Sequence, residues 1–105
     1  MLANVINCKS ADCDVYIGRP SKWGNPFKIG RDGTRKEVIE KYRERILGTR
    51  NAPNNEIAPT LIEIQQSLAG QVLGCWCKPK ACHGDVLKQF ADGPGPHIVK
   101  QNWRV

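Results

Sequence analysis

The segment 71–77 (QVLGCWC) most constrains the fold of this 105-residue chain, because it is apolar at both of its alternating positions. Side chains two residues apart in a strand point to the same face, so Val72 and Trp76 share one face and Leu73 and Cys75 the other. A strand that is apolar on both faces belongs in the middle of a parallel or mixed sheet that helices cover. The segment therefore predicts an α/β protein.

The remaining patterns complete this architecture. Residues 34–47 form the most distinct helix, because Thr34 and Glu37 make a capping-box pattern ahead of an apolar stripe, and its charged face is typical of a solvated surface. Further helices are predicted over residues 60–69 and 86–91, and further strands over 2–8 and 14–18. Residues 48–59 are polar and proline-punctuated, which predicts a long loop. We expect one α/β domain over residues 1–105, a small mixed sheet of three to five strands flanked by about three helices, with residues 92–105 as a C-terminal tail.

Charge and hydropathy narrow the function classes. Lys and Arg number 16 against 10 Asp and Glu, which favours polyanionic partners such as nucleic acid, nucleotides or phosphorylated small molecules. No segment approaches the roughly 18 to 20 apolar residues of a membrane span, and the N-terminus lacks the layout of a secretory signal. We therefore expect a cytoplasmic protein without a membrane partner. Phosphate-binding glycine motifs of the Walker or dinucleotide type, and a Gly-x-Ser-x-Gly elbow, are not found in the sequence.

Cysteine and histidine are concentrated at the end of the predicted central strand. The chain has five cysteines, an odd number that favours free thiols over a disulfide framework when no secretory signal is present. Cys75 and Cys77 lie near the carboxyl end of the strand, where ligands bind in open α/β sheets. Cys82 and His83 return to the same edge at the start of the next helix, where the helix dipole and unpaired amides favour an anion and lower the pKa of a thiol.

Three chemistries fit this cluster. The first is a Cys3His zinc site, although its ligand spacing is tighter than that of common zinc modules; its ligands would be Cys75, Cys77, Cys82 and His83. The second is an activated thiolate of Cys82 or Cys77 beside His83, with Lys78 and Lys80 stabilising negative charge. The third has buried, inert cysteines, with phosphate or ribose bound by His83, Asp85 and the helix start. Asp85 is a candidate helix cap or a candidate general base.

A second candidate site segment is the loop 19–28, which combines two prolines, cations and two aromatic residues. In one interpretation Trp23 and Phe27 fill the side of the core. In the other, Arg19, Lys22 and Lys28 bind phosphate while Trp23 offers a stacking face. The two interpretations are compatible.

The segments 15–27 (VYIGRPSKWGNPF) and 73–87 (LGCWCKPKACHGDVL) resemble a family of small bacterial and phage domains, domain-of-unknown-function family 4326. The likeness extends from about residue 15 to residue 90. It implies that the two segments form one site, and it implies no particular activity.

We therefore expect a small basic domain that binds a nucleotide-like ligand or a nucleic-acid phosphate at the Cys/His cluster and hydrolyses it or transfers a group on it. The alternatives are a non-catalytic nucleic-acid-binding module, zinc-stabilised or not, and a phage accessory protein that acts on a host partner. The candidate catalytic residues are Cys82, His83 and Asp85. The candidate ligand-binding residues are Arg19, Lys22, Trp23, Asn25, Lys78 and Lys80.

Overall fold

A computed structural model describes residues 2–9, 12–52 and 57–93 of the chain. Its elements in chain order are β1 (Asn4–Asn7), β2 (Val15–Tyr16), α1 (Arg35–Ile46), α2 (Leu61–Leu68), β3 (Val72–Cys75) and α3 (His83–Asp92). These three helices and three strands confirm the expected small α/β domain. Most of the predicted tail and the middle of the predicted 48–59 loop lie outside the described residues.

β3 is the central strand of the described sheet, as its apolar pattern predicted. The strand order is β1-β3-β2, and both pairings are parallel. The register places Asn7 beside Cys75 and Tyr16 beside Gly74, so the carboxyl ends of the strands meet at one edge. β3 ends at Cys75, two residues earlier than predicted, because the chain then turns and the Lys80 amide donates to the Cys77 carbonyl.

α1 and α2 begin directly after the predicted Thr34 and Thr60, whereas α3 begins at His83, three residues before the predicted start at residue 86. Thr34 and Glu37 form both bonds of the capping box at the start of α1: the Thr34 hydroxyl accepts from the Glu37 amide and the Glu37 carboxylate accepts from the Thr34 amide. The Thr60 hydroxyl caps α2 in the same way by accepting from the Glu63 amide. Cys82 is the N-cap residue of α3, so Cys82 and His83 lie at a helix start as expected.

The two faces of β3 have different neighbours. On one face α3 packs closely, since a Cβ atom on Gly84 would lie 2.9 Å from Val5 Cγ1 of the neighbouring β1. On the other face, a Cβ atom on Gly74 would lie 2.5 Å from Cys13 Sγ and 2.6 Å from Cys8 Sγ. The sheet therefore has helical cover on one face, and two thiols fill the space above Gly74 on the other.

Within the described ranges, no helix has the length and apolar character that a membrane span requires.

Candidate functional site

A pocket of about 400 Å³ lies at the edge of the sheet where the parallel strands end. Its wall is built by the end of β2 with the loop that follows, by the first turns of α1, and by the connection from β3 to α3. The lining residues are Tyr16, Gly18, Arg19, Asn25, Phe27, Ile29, Arg35, Val38, Ile39, Cys75, Trp76, Cys77, Ala81, Cys82 and His83. The two sequence segments predicted to form one site therefore do meet at one sheet edge.

Arg19 is held in the pocket wall by its own loop. Its Nη1 donates to the Asn25 carbonyl at 3.2 Å, and its carbonyl accepts from the Tyr16 hydroxyl at 2.8 Å. Gly24 permits this arrangement, since a Cβ atom there would lie 3.0 Å from Arg19 Cγ and 3.1 Å from its Cα. The bond to Asn25 occupies one of the five N–H donors of the guanidinium.

Asn25 lines the pocket, but its side chain is committed to the backbone. Its Nδ2 donates to the Val38 carbonyl in α1 at 3.1 Å, and its Oδ1 accepts from the Phe27 amide at 2.9 Å. Both bonds are buried. Asn25, predicted as a ligand-binding residue, thus ties the loop to α1.

Trp23 and Lys22 are turned away from the pocket. Trp23 is only 7% exposed and belongs to the hydrophobic core, and its carbonyl accepts from the Tyr42 hydroxyl at 2.7 Å. Lys22 forms an ion pair with Glu63, and its Nζ lies 5.0 Å from the centroid of the Trp23 ring. For Trp23, the structure shows the core-filling interpretation rather than the stacking one.

Arg35 is a pocket cation that the sequence pattern does not indicate. It is the first residue of α1, and its Nη1 donates to the Ala81 carbonyl at 3.0 Å. The sequence pattern assigned it to the solvated face of the helix, because neither its spacing nor its neighbours indicate a partner 46 residues away.

Cys75 and Cys82 are buried in the pocket floor. Their side chains are 1% and 2% exposed, and their sulfur atoms are 3.4 Å apart. Burial, together with the adjacent Cys75 thiol, raises the pKa of Cys82 to about 12, although the Gly84 amide acts to lower it. The lowering that we expected from the helix start is outweighed, so the Cys82 thiol is protonated at neutral pH.

His83 is also buried and is neutral at pH 7. Burial lowers its pKa and the charge of Arg19 lowers it further, while the hydrogen bond to the Ile17 carbonyl acts in the opposite direction. That bond joins Nε2 to the Ile17 oxygen at 2.6 Å, and because a carbonyl only accepts, Nε2 carries the hydrogen. The free lone pair of the neutral ring is therefore on Nδ1.

Asp85 caps α3, as one of its two interpretations proposed. Its Oδ2 accepts from the Cys82 amide at 3.1 Å, and its Oδ1 pairs with Lys78. Partial burial acts to lower the pKa of Lys78, but the bond and charge of Asp85 raise it above its ordinary value. Lys80 is exposed. Of the described residues predicted as site members, Lys22, Trp23, Lys78, Lys80 and Asp85 do not line the pocket.

The four side chains predicted as a Cys3His zinc site are not assembled as one ligand set. Among the described residues, no three His, Cys, Asp or Glu side chains are grouped so that they could hold a metal ion. Cys75 and Cys82 are buried together in the pocket floor, whereas Cys77 follows the end of β3 in the turn. The arrangement of these residues therefore does not fit zinc.

Two curated viral proteins are similar to this chain. An uncharacterised 12.4 kDa protein of the nrdA-td intergenic region of Enterobacteria phage T4 is 39% identical over 92 residues, which cover 87% of this chain and 79% of the phage protein. An uncharacterised protein of Acanthamoeba polyphaga mimivirus is 33% identical over 97 residues, covering 75% of this chain and 67% of the viral protein. No solved structure matches the chain.

The family comparison agrees with the resemblance seen in the two motifs. The model of a domain of unknown function, DUF4326, matches residues 4–93, a range that contains every pocket residue named above. The chain belongs to the DUF4326 family.

Proposed function

We propose that the pocket binds a small nucleotide-like ligand through its phosphate group. Two arginines, Arg19 and Arg35, line one pocket of about 400 Å³, and this observation supports the proposal most directly. Each is anchored by a hydrogen bond to a backbone carbonyl, which fixes its position and leaves other N–H donors for a ligand. The planar guanidinium binds phosphate oxygens in pairs, with geometric specificity as well as charge.

The start of α3 is a weaker phosphate site than the two arginines. A helix N-terminus attracts anions through its unpaired amides and its dipole. Here the Asp85 carboxylate already accepts from the Cys82 amide and balances Lys78. A phosphate at that position would meet a negative charge, so it is better placed at Arg19 and Arg35.

The burial of Cys82 favours a binding role over nucleophilic catalysis by this thiol. The thiolate is the reactive form of cysteine, and a thiol with a pKa of about 12 is almost entirely protonated at neutral pH. Cys75 and Cys82 then act as small buried apolar groups in the floor of the pocket. If the ligand is also hydrolysed or its group transferred, the group best suited to take a proton is the Nδ1 lone pair of neutral His83.

Calorimetric titration of the reduced protein with inorganic phosphate, nucleosides and nucleoside mono- and triphosphates tests the proposal. We expect the phosphorylated compounds to bind and the nucleosides to bind far more weakly. Arg19→Gln and Arg35→Gln should each weaken binding by about tenfold or more, because a hydrogen bond to a charged group contributes about 1.5 to 3 kcal/mol.

Arg50→Gln is the matched control. Arg50 pairs with Glu44 on the surface and does not line the pocket, yet its loss changes the net charge by the same amount. Equal weakening in all three variants, with affinity that falls steeply as salt is added, would instead favour the alternative of non-specific nucleic-acid binding. Absence of binding to any phosphorylated compound would refute the proposal.

The same mixtures reveal whether the ligand is turned over. Chromatography of the nucleotides after incubation would detect hydrolysis or transfer. If products form, His83→Gln should abolish their formation, whereas product formation that persists in this variant would remove His83 from the reaction.

A further inference from the structure

An aromatic pair lies at the rim of the pocket. Trp76 is 56% exposed, although it follows the buried strand β3 directly. Its Nε1 donates to the Tyr16 hydroxyl at 3.1 Å, and the two ring centroids are 6.4 Å apart with an interplanar angle of 61°. Both side chains line the pocket. Tryptophan combines a large apolar ring with a polar N–H, and it is therefore enriched where one side of the ring meets a partner.

The pair is held in place by the same loop that positions Arg19. The Tyr16 ring packs against Gly18, where a Cβ atom would lie 2.4 Å from the Tyr16 hydroxyl oxygen and 2.6 Å from Cζ. The hydroxyl in turn donates to the Arg19 carbonyl at 2.8 Å. Trp76, Tyr16 and Arg19 thus form one connected unit.

The bonding of Trp76 leaves the faces of its ring available. The indole N–H lies in the ring plane, so its bond to Tyr16 engages the edge of the ring. An aromatic face that is exposed but already fixed in position loses little conformational freedom when another ring stacks on it. This is the arrangement that nucleobase-binding aromatic residues use.

We infer that Trp76, supported by Tyr16, is the stacking platform for the base of the ligand, which makes the ligand class a free mononucleotide. This inference rests on the proposed function for the phosphate end. Pockets for small ligands have volumes of about 300 to 1,000 Å³, and a pocket of about 400 Å³ lies at the small end of that range. This volume suits a single nucleotide. In this arrangement the base lies on Trp76 at the rim of the pocket, and the phosphate lies at Arg19 and Arg35.

The test compares ligands that share the phosphate and differ in the base. The probes are ribose 5-phosphate and the four common nucleoside monophosphates, each titrated against the full chain. We expect at least one monophosphate to bind about tenfold more tightly than ribose 5-phosphate, the usual effect of one base stacked on an aromatic ring. The affinity for that monophosphate divided by the affinity for ribose 5-phosphate is the ratio that reports stacking. Trp76→Ala should reduce this ratio to about one, and Trp76→Phe should keep part of it.

Two further variants separate stacking from a general loss of structure. Tyr16→Phe keeps the ring on Gly18 but removes the hydroxyl that fixes Trp76. It should therefore reduce the ratio less than Trp76→Ala does. Leu47→Ala removes another exposed apolar side chain, outside the pocket, and should leave the ratio unchanged.

The outcomes distinguish the two proposals. If ribose 5-phosphate and the monophosphates bind equally in the wild-type protein, and Arg19→Gln weakens both, the stacking platform is refuted while the phosphate site stands. A ratio that Trp76→Ala leaves unchanged also refutes the platform. If no compound binds, both proposals fail. Tighter binding of a short oligonucleotide than of every monophosphate would overturn the assignment of a free mononucleotide.

Discussion

Replacing Asn25 with alanine tests whether this residue holds the pocket together or contacts the ligand. The side chain is buried and makes two bonds to the backbone, one to the Val38 carbonyl at 3.1 Å and one from the Phe27 amide at 2.9 Å. Because both bonds are internal to the protein, Asn25→Ala should lower the free energy of unfolding.

The magnitude follows from the groups that the substitution leaves behind. The Phe27 amide would be a buried donor without its acceptor, which costs about 1 to 3 kcal/mol. Loss of the bond to Val38 adds about 1 kcal/mol. We expect a total of about 3 kcal/mol, a large part of the stability of a domain of this size.

Urea denaturation under reducing conditions measures this loss, with Asn7→Ala as the control. Asn7 also bonds to the backbone: its Nδ2 donates to the Lys78 carbonyl at 2.8 Å, and its Oδ1 accepts from the Lys9 amide at 2.8 Å. Asn7 is only half-buried, however. Water can replace those bonds, so about 1 kcal/mol or less should be lost. A loss below about 1 kcal/mol at Asn25, combined with loss of ligand affinity, would refute the structural role and return Asn25 to the ligand contacts.

Two further predictions concern packing and titration. Gly74→Ala should destabilise the protein by about 2 kcal/mol or more, since the new methyl group would lie 2.5 Å from Cys13 Sγ and 2.6 Å from Cys8 Sγ. In urea denaturation, adding Cys8→Ala and Cys13→Ala to this variant should recover part of the lost stability, because both sulfurs are removed. Equal stability of Gly74→Ala and the wild-type protein would contradict the close packing above Gly74. The imidazole of His83 takes up its proton near its ordinary pKa of 6.5 in the unfolded chain but at lower pH in the folded protein, so the unfolded state binds more protons below that value and stability falls as the pH falls. From about pH 7 to pH 5, the free energy of unfolding should decline less steeply for His83→Gln than for the wild-type protein. Identical slopes of the free energy of unfolding against pH would rule out His83 as the source of the decline.

The sequence predicted the elements whose signals are local. The segment 71–77, apolar on both faces, identified β3 as a central strand, and the Thr34 and Glu37 pair marked the start of α1. Cys82 and His83 were placed correctly at the start of α3. Each of these features depends on residues within a few positions of one another, where strand and helix periods and capping chemistry act directly.

The pocket chemistry was less predictable, because it depends on contacts between distant segments. The Arg35 side chain is held at the pocket by its hydrogen bond to the Ala81 carbonyl, 46 residues away. Trp76 is held by its hydrogen bond to the Tyr16 hydroxyl, 60 residues away. The pKa of Cys82 was expected to fall at a helix start, and it rises because packing buries the thiol beside Cys75. The local pattern showed the helix start, whereas the depth of burial is a property of the assembled fold.

Three residues of the loop 18–27 hold Arg19 in position, and Arg19 is the one cation of this loop that lines the pocket. Gly18 admits the Tyr16 ring, Gly24 admits the backbone of Arg19, and Asn25 bonds the loop to α1. These residues fix the loop before any ligand arrives, so binding does not have to order it. For the ligand that we propose, a loop with the same arginine and without those supports would bind more weakly, because binding would first have to order the loop.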